Sequence, residues 1–181
     1  MIDQDIPIYS KNNFESMEKA GSLAAKVLDE LKNLIKPGLS TLEINNFCHQ
    51  MIISNDAIPA PLNYKGFPKS VCTSVNHVVC HGIPSQNKIL QDGDIINVDV
   101  TVIIDGWHGD SSRMFVAGNI NKKIYSLLQT TYECLLIGIK HALPGKNLGD
   151  IGFEIQQYAE KNNYSVVRDF CGHGIGKIFH T

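Results

Sequence analysis

The sequence of 181 residues contains no apolar run long enough to span a bilayer. Its beginning, MIDQDIPIYSKNNFESMEKAG, is acidic and lacks the basic and apolar segments of a secretory signal peptide. Lysine and arginine form no basic run, and the formal net charge is −2, from 16 basic and 18 acidic side chains. We therefore expect a cytoplasmic protein that binds neither nucleic acid nor membranes.

Cysteine is also scarce, and its pattern excludes two kinds of site. The five cysteines are an odd number and include no C-x-x-C pair, which argues against a disulfide framework and a thiolate zinc site. Reduced thiols of this kind are typical of the cytoplasm. No internal repeat, low-complexity tract or linker divides the chain, so residues 1–181 are expected to form a single domain. We also expect the protein to be a monomer.

Hydrophobic periodicity predicts four helices and a hairpin. The helices are expected at residues 14–35, after the capping box that begins at Ser40, at about 121–141 and at about 148–161. The third helix has an apolar stripe of Ile124, Leu128, Thr131, Leu135 and Ile139. Strands are expected at 71–75, within a hairpin at 95–116, and at YSVVRDF (164–170). Helix pairs that alternate with hairpins indicate an α+β fold.

The hairpin sequence IINVDVTVIIDGWHGDSSRMFV places two aspartates on one face. Positions 96–104 are apolar at every even number, while Asn97, Asp99 and Thr101 are polar, as in a strand with one face in the core. Asp105-Gly106 suits a two-residue type I′ turn. With that turn Asp99 faces Ser112 and Asp110 faces Thr101. The two aspartates are then diagonal neighbours, roughly 7–8 Å apart at their Cα atoms.

Three interpretations fit this pair of aspartates. Two ionised carboxylates in a dry site repel each other, and a pair of divalent cations would offset the repulsion and generate a nucleophile from bound water. The pair could instead share a proton as a carboxyl dyad. It could also be the solvated polar face of a hairpin that is buried on one side only.

The histidines favour the metal interpretation. His173 lies in the glycine loop CGHGIG, after the strand expected at 164–170, and glycines allow close backbone approach and unusual dihedral angles. A neutral imidazole joins carboxylates as a ligand of Mn, Fe, Co or Zn. His180, seven residues later, is interpreted as a substrate contact or a surface residue. His81 could serve the site or bond a local backbone carbonyl. The remaining histidines are assigned to that local role: His49, His77, His108 and His141.

Three segments together resemble a known family. NYKGFPKSVCTSVNHVVCHGIP, LQDGDIINVDVTVIIDGWHGDSSRMF and SVVRDFCGHGIGKIFH are similar, in order and spacing, to the bacterial type I methionine aminopeptidases. The resemblance extends from the first helix to the last residue. It implies the pita-bread α+β fold, with two pseudo-symmetric halves around a dinuclear metal centre.

The resemblance also implies roles for individual residues. Asp99 would bind one metal ion, Asp110 would bridge both, and His173 would bind the second, while His81 and His180 would contact the substrate at the scissile bond. The methionine side chain would lie against Tyr64, Phe67, Cys72 and Phe179. The implied reaction is removal of the N-terminal methionine from new polypeptides, near the ribosome, by a metal-bound hydroxide.

The family pattern requires two further glutamate ligands on later strands, and neither occurs in the sequence up to Thr181. We therefore expect a catalytic domain that is incomplete at its C-terminus and weakly active or inactive.

Two other functions stay open. One is another pita-bread hydrolase of the prolidase or aminopeptidase P type, and the other is a non-catalytic binding relative without metal.

Overall fold

The computed structural model describes residues 6–181. These residues form two compact units, one of residues 6–119 with 173–181 and one of residues 120–172. No helix within residues 6–181 combines the length and the apolar character needed to cross a membrane. A single catalytic domain over residues 1–181 stays a prediction.

The first unit begins with two helices, α1 (Lys11–Leu31) and α2 (Thr41–Ile53). The capping box predicted at Ser40 is confirmed, because the Glu43 backbone N–H donates to Ser40 Oγ at 3.2 Å and the Ser40 backbone N–H donates to Glu43 Oε2 at 2.8 Å. Helix α1 ends at Leu31, short of the predicted 35, and the amides of Leu34 and Ile35 both donate to the Leu31 carbonyl in the turn that follows.

The sheet of the first unit has four antiparallel strands. They are β1 (Ile58–Pro59), β2 (Cys72–Val75), β3 (Asp94–Ile104) and β4 (Trp107–Ala117). Strand β4 pairs with one edge of β3, and β1 and β2 pair with the other edge. A short 3-10 turn at Tyr64–Gly66 lies between β1 and β2.

The predicted hairpin geometry is confirmed. Asp105 and Gly106 have φ values of 51° and 79°, and a type I′ turn needs positive φ at both central residues. Asp99 faces Ser112, and Thr101 faces Asp110. The apolar even positions of β3 pack into the core with α1, including Val98 and Val100. The face of β3 that carries Asp99 is therefore turned away from this core.

The second unit consists of α3 (Lys122–His141) and α4 (Leu148–Lys161), close to the predicted bounds. The predicted apolar stripe of α3 is wrong, because Leu135 and Ile139 are 54% and 59% exposed. The buried residues of α3 are Thr130, Cys134 and Gly138. Gly138 has no side chain to keep Ile155 of α4 away, so α4 packs on this face of small residues.

The strand predicted at residues 164–170 is also wrong. Residues 164–170 have no regular secondary structure, and the part of this unit that the structure describes, residues 120–172, contains no strand. A strand is stabilised by a hydrogen-bonded neighbour. Within the described residues of its own unit, this segment therefore has no neighbouring strand with which to pair.

Candidate metal and substrate site

The β3–β4 hairpin presents two carboxylates on one face of the sheet. Asp99 and Asp110 are diagonal neighbours in the ladder, and both are partly buried. The buried Thr101 hydroxyl donates to Asp110 Oδ1 at 2.9 Å, because the hairpin register places the two residues opposite each other. This bond orients the Asp110 carboxylate and leaves its Oδ2 available for another partner.

The Asp110 carboxyl disfavours the charged form of Asp99. Burial, together with the neighbouring Asp110 carboxyl, raises the pKa of Asp99 to about 7. A hydrogen bond between the Asp99 and Asp110 side chains acts in the same direction, since it requires a proton on one of them. The positive charge of His173 acts in the opposite direction. The pair therefore has the electrostatics of a site that favours protons or cations.

The Nε2 atom of His173 faces this pair of carboxylates. Its Nδ1 lies 2.9 Å from the backbone carbonyl oxygen of Gly174, and because a carbonyl only accepts, Nδ1 carries the proton. In the neutral ring Nε2 then has the free lone pair, and Nε2 lies 3.6 Å from Asp110 Oδ2. Metal-binding histidines are commonly fixed in this tautomer by a bond to a carbonyl.

The three predicted ligands form two close pairs. Within residues 6–181, no three His, Cys, Asp or Glu side chains converge closely enough to hold an ion between them. Asp110 is the member common to both pairs, since it lies beside Asp99 on the hairpin and faces His173 through Oδ2. Asp110 is thus the one of the three predicted ligands that lies near both of the others.

The glycine loop differs from the expectation that it uses unusual dihedral angles. Gly172, Gly174 and Gly176 do not have positive φ. Gly174 and Gly176 instead allow close approach, because a Cβ on either would overlap the side chain of Thr181 or Tyr9, respectively. The loop closes on itself through two hydrogen bonds between Gly174 and Thr181, of 3.0 and 3.1 Å.

Four of the predicted site residues form one aromatic cluster. The ring centroids of His173 and His180 are 4.3 Å apart, and those of Tyr64 and Phe179 are 4.9 Å apart. The Tyr64 hydroxyl and His180 Nδ1 are hydrogen-bonded at 3.0 Å. Burial, and then the charge of His173, lowers the pKa of His180. Residues more than a hundred positions apart in sequence thus lie side by side.

The remaining predicted residues lie on or beside β2. Cys72 is buried and pairs directly with Asp99, and burial followed by the charge of Asp99 raises the pKa of its thiol to about 12. His81 has φ of 54° in the irregular segment after β2. Phe67 is half-buried, and its amide donates to the Tyr64 carbonyl at 2.9 Å.

Two residues near the site were not identified from the sequence. Thr101 was expected to face Asp110, and the register alone could have indicated that its hydroxyl reaches the carboxylate. His108 was assigned to a local backbone contact. Its Nδ1 does bond a carbonyl, at 3.0 Å, but that carbonyl belongs to Gly176, 68 residues away in the loop of His173. No sequence pattern indicates this pairing.

Comparison with known proteins identifies the family of this chain. The sequence profile of Metallopeptidase family M24 matches residues 15–181. Methionine aminopeptidase from Rickettsia prowazekii is 57% identical over 97% of this chain and 67% of its own length. Methionine aminopeptidase A from Synechocystis is 52% identical over 97% of this chain and 70% of its own length.

The fold agrees as well. The crystal structure of the Rickettsia prowazekii methionine aminopeptidase superimposes with a TM-score of 0.95 at 56% identity, covering 97% of this chain and 70% of that chain. The expected pita-bread α+β fold is thereby confirmed. Identity at this level with methionine aminopeptidases favours that enzyme class over the prolidase and binding-relative alternatives. The chain belongs to metallopeptidase family M24 and, within it, to the bacterial type I methionine aminopeptidases.

Proposed function

We propose that this chain takes part in metal-dependent removal of the N-terminal methionine from newly made polypeptides, through a dinuclear site. The observation that carries the proposal is the arrangement around Asp110. One oxygen of its carboxylate is held by Thr101, and the other lies 3.6 Å from His173 Nε2. Methionine aminopeptidase relatives of high identity support the choice of substrate.

The residues present fit divalent cations by their chemistry. Two ligands about 2.1 Å from one ion are separated by roughly 3–3.6 Å, which includes the distance between Asp110 Oδ2 and His173 Nε2. Asp99 would bind one ion, Asp110 both, and His173 the other. When bound, two divalent cations supply charge neutralisation and activation of water for hydrolysis. Oxygen and imidazole ligands accept Mn, Fe, Co or Zn, so the proposal is limited to this group of ions.

The aromatic cluster would hold the methionine side chain and the bond to be cleaved. Tyr64 and Phe179 pack together, and with Phe67 and Cys72 they would form an apolar, polarisable wall suited to a thioether. His180, held by the Tyr64 hydroxyl, would donate to the scissile carbonyl. His81 would contact the substrate amide from the segment after β2. A tight site beyond this wall would favour small second residues.

We further propose that a polypeptide of these 181 residues binds metal weakly and hydrolyses slowly. Its described residues offer two carboxylates and one imidazole in two pairs, and no three of them converge. Two ions held by so few donors would dissociate readily. The five free thiols agree with action in the reducing cytoplasm. We propose that it acts there near the ribosome. We propose that it acts as a monomer.

The test is methionine release from the peptide Met-Ala-Ser in saturating Mn²⁺. The 181-residue chain is compared with its Asp110→Ala variant and with the Rickettsia prowazekii relative. N-acetylated peptide, which lacks a free amino group, is the substrate control. We expect slow release that requires Asp110 and a free amino group. Release equal in the chain and its Asp110→Ala variant would contradict the hydrolytic proposal, and a rate near that of the relative would contradict the proposed weak activity.

A further inference from the structure

We infer that His108 is a positioning residue that fixes the segment 173–181 onto β4, beside Asp110. The inference deepens the proposed function, and rests on it for what this segment presents to a substrate. The contacts that carry it are all formed by residues of this chain. These contacts lie within the first compact unit.

Two donors of His108 converge on one acceptor. The backbone N–H of His108 donates to the Gly176 carbonyl oxygen at 2.9 Å, and its Nδ1 lies 3.0 Å from the same oxygen. Since the carbonyl cannot donate, Nδ1 carries the proton. His108 is only 8% exposed, so little water competes for this oxygen. A buried carbonyl with both lone pairs occupied is a strong local constraint.

The aromatic rings of Trp107 and His108 make further contacts with the same segment. The ring of His108 stacks on Phe179 at a centroid distance of 5.4 Å and an interplanar angle of 22°. Lys177 Nζ lies 5.3 Å from the ring centroid of Trp107, a cation–π distance. Tyr9 packs edge-on against Trp107 and leaves no room for a Cβ on Gly176. Trp107 and His108 thus contact three residues of the segment: Gly176, Lys177 and Phe179.

Because the segment 173–181 is closed by its own hydrogen bonds, holding Gly176 in place also holds the rest of the segment. The two hydrogen bonds between Gly174 and Thr181 close it into a loop, with a third from the Gly176 amide to the Ile178 carbonyl at 3.2 Å. His173, Phe179 and His180 are therefore carried by one small closed unit. His108 and Asp110 are two positions apart on β4 and project to the same side of the strand. The contact at Gly176 consequently sets the position of His173 relative to Asp110.

The test separates the two properties of the His108 side chain. His108→Asn keeps an N–H donor near the position of Nδ1 but loses the ring, whereas His108→Phe keeps a ring against Phe179 but loses the donor. Amide hydrogen exchange is measured by NMR on the metal-free 181-residue chain in EDTA. The amides of Gly174, Gly176 and Thr181 report on the loop, and the amides of β3 report on the fold.

We expect loop amides to exchange roughly 3- to 10-fold faster in His108→Phe, the effect of losing one hydrogen bond. In His108→Asn they should stay within about twofold of wild type, and β3 amides should not change in either variant. Unchanged loop amides in His108→Phe, or equal acceleration of loop and β3 amides, would overturn the inference. If His108→Phe does not fold, His108→Gln takes its place, because its amide extends one bond too far to replace Nδ1.

This readout is independent of catalysis. Failure of the exchange test leaves methionine release untouched, and failure of methionine release leaves the exchange result untouched. In the Rickettsia prowazekii relative, the matching histidine substitution would then show whether a loosened loop weakens metal binding.

Discussion

The Thr101 hydroxyl donates to Asp110 Oδ1 over 2.9 Å across the β3–β4 hairpin. The two residues are direct partners in the ladder, and Thr101 is 2% exposed. The bond therefore forms in a dry environment and turns the other carboxylate oxygen towards His173. If Asp110 binds metal as proposed, this hydrogen bond fixes the orientation of the ligand.

Replacing Thr101 with valine should weaken metal binding while the fold is kept. Valine has nearly the same shape but cannot donate, so Asp110 would lose its orienting bond. We expect Mn²⁺ to bind about 10-fold more weakly, as measured by isothermal titration calorimetry. Thr101→Ser keeps the hydroxyl and is the matched control. Equal affinities of wild type and Thr101→Val would show that the bond has no part in the site.

The raised pKa of Asp99 predicts how stability depends on pH. Its folded-state pKa of about 7 lies above its ordinary value of 3.8. The folded state therefore favours the protonated carboxyl, and the stabilising contribution is complete below pH about 4 and lost as pH rises towards about 7. Asp99→Asn cannot ionise and lacks this dependence.

Urea unfolding of the metal-free chain in EDTA measures this effect. The free energy of unfolding of wild type, minus that of Asp99→Asn, should fall by on the order of 2 kcal/mol as the pH rises from about 4 to about 7. Carboxylates that do not interact with Asp99 cancel in the difference. A difference that is constant, or that rises with pH, would contradict the electrostatic account of the aspartate pair.

Much of the hairpin could be predicted because its information is local. Alternating apolar residues define the faces of β3, and Asp105-Gly106 fixes the turn, so the register that places Asp99 and Asp110 together follows by counting. The capping box at Ser40 is local in the same way. Such features need no knowledge of distant contacts.

Other features depend on contacts between distant residues. His108 has its partner 68 residues away, and no local pattern indicates it. In α3, Leu135 and Ile139 gave a regular apolar stripe, but α4 packs where Gly138 allows close approach. The β-branched pattern at 164–170 fails for the same reason, since a strand depends on its neighbour rather than on its own sequence.

Gly82 is expected to tolerate no side chain. A Cβ at this position would overlap the backbone carbonyl of Thr73, whose amide donates to the Gly82 carbonyl at 2.8 Å. Gly82→Ala would therefore separate the His81 segment from β2 and cost about 2 kcal/mol or more of unfolding free energy. Gly172→Ala, where no atom lies within 4 Å of the added Cβ, is the matched control.

Thermal and urea unfolding of the two glycine variants make the comparison. Gly172→Ala should lie within about 0.5 kcal/mol of wild type. If both variants unfold like wild type, the close approach of Gly82 to β2 has no energetic role in holding His81.

Direct metal titration tests the central claim that Asp110 connects two neighbouring cation sites. Calorimetry with Mn²⁺ is carried out on the metal-free 181-residue chain, on Asp110→Ala, and on Asp105→Asn, which removes the charge of an exposed aspartate at the turn of the same hairpin with a residue that tolerates its positive φ. We predict weak but measurable binding to wild type and Asp105→Asn, and loss of the binding heat in Asp110→Ala. Equal binding heat in all three proteins, or none in wild type at millimolar Mn²⁺, would contradict the claim.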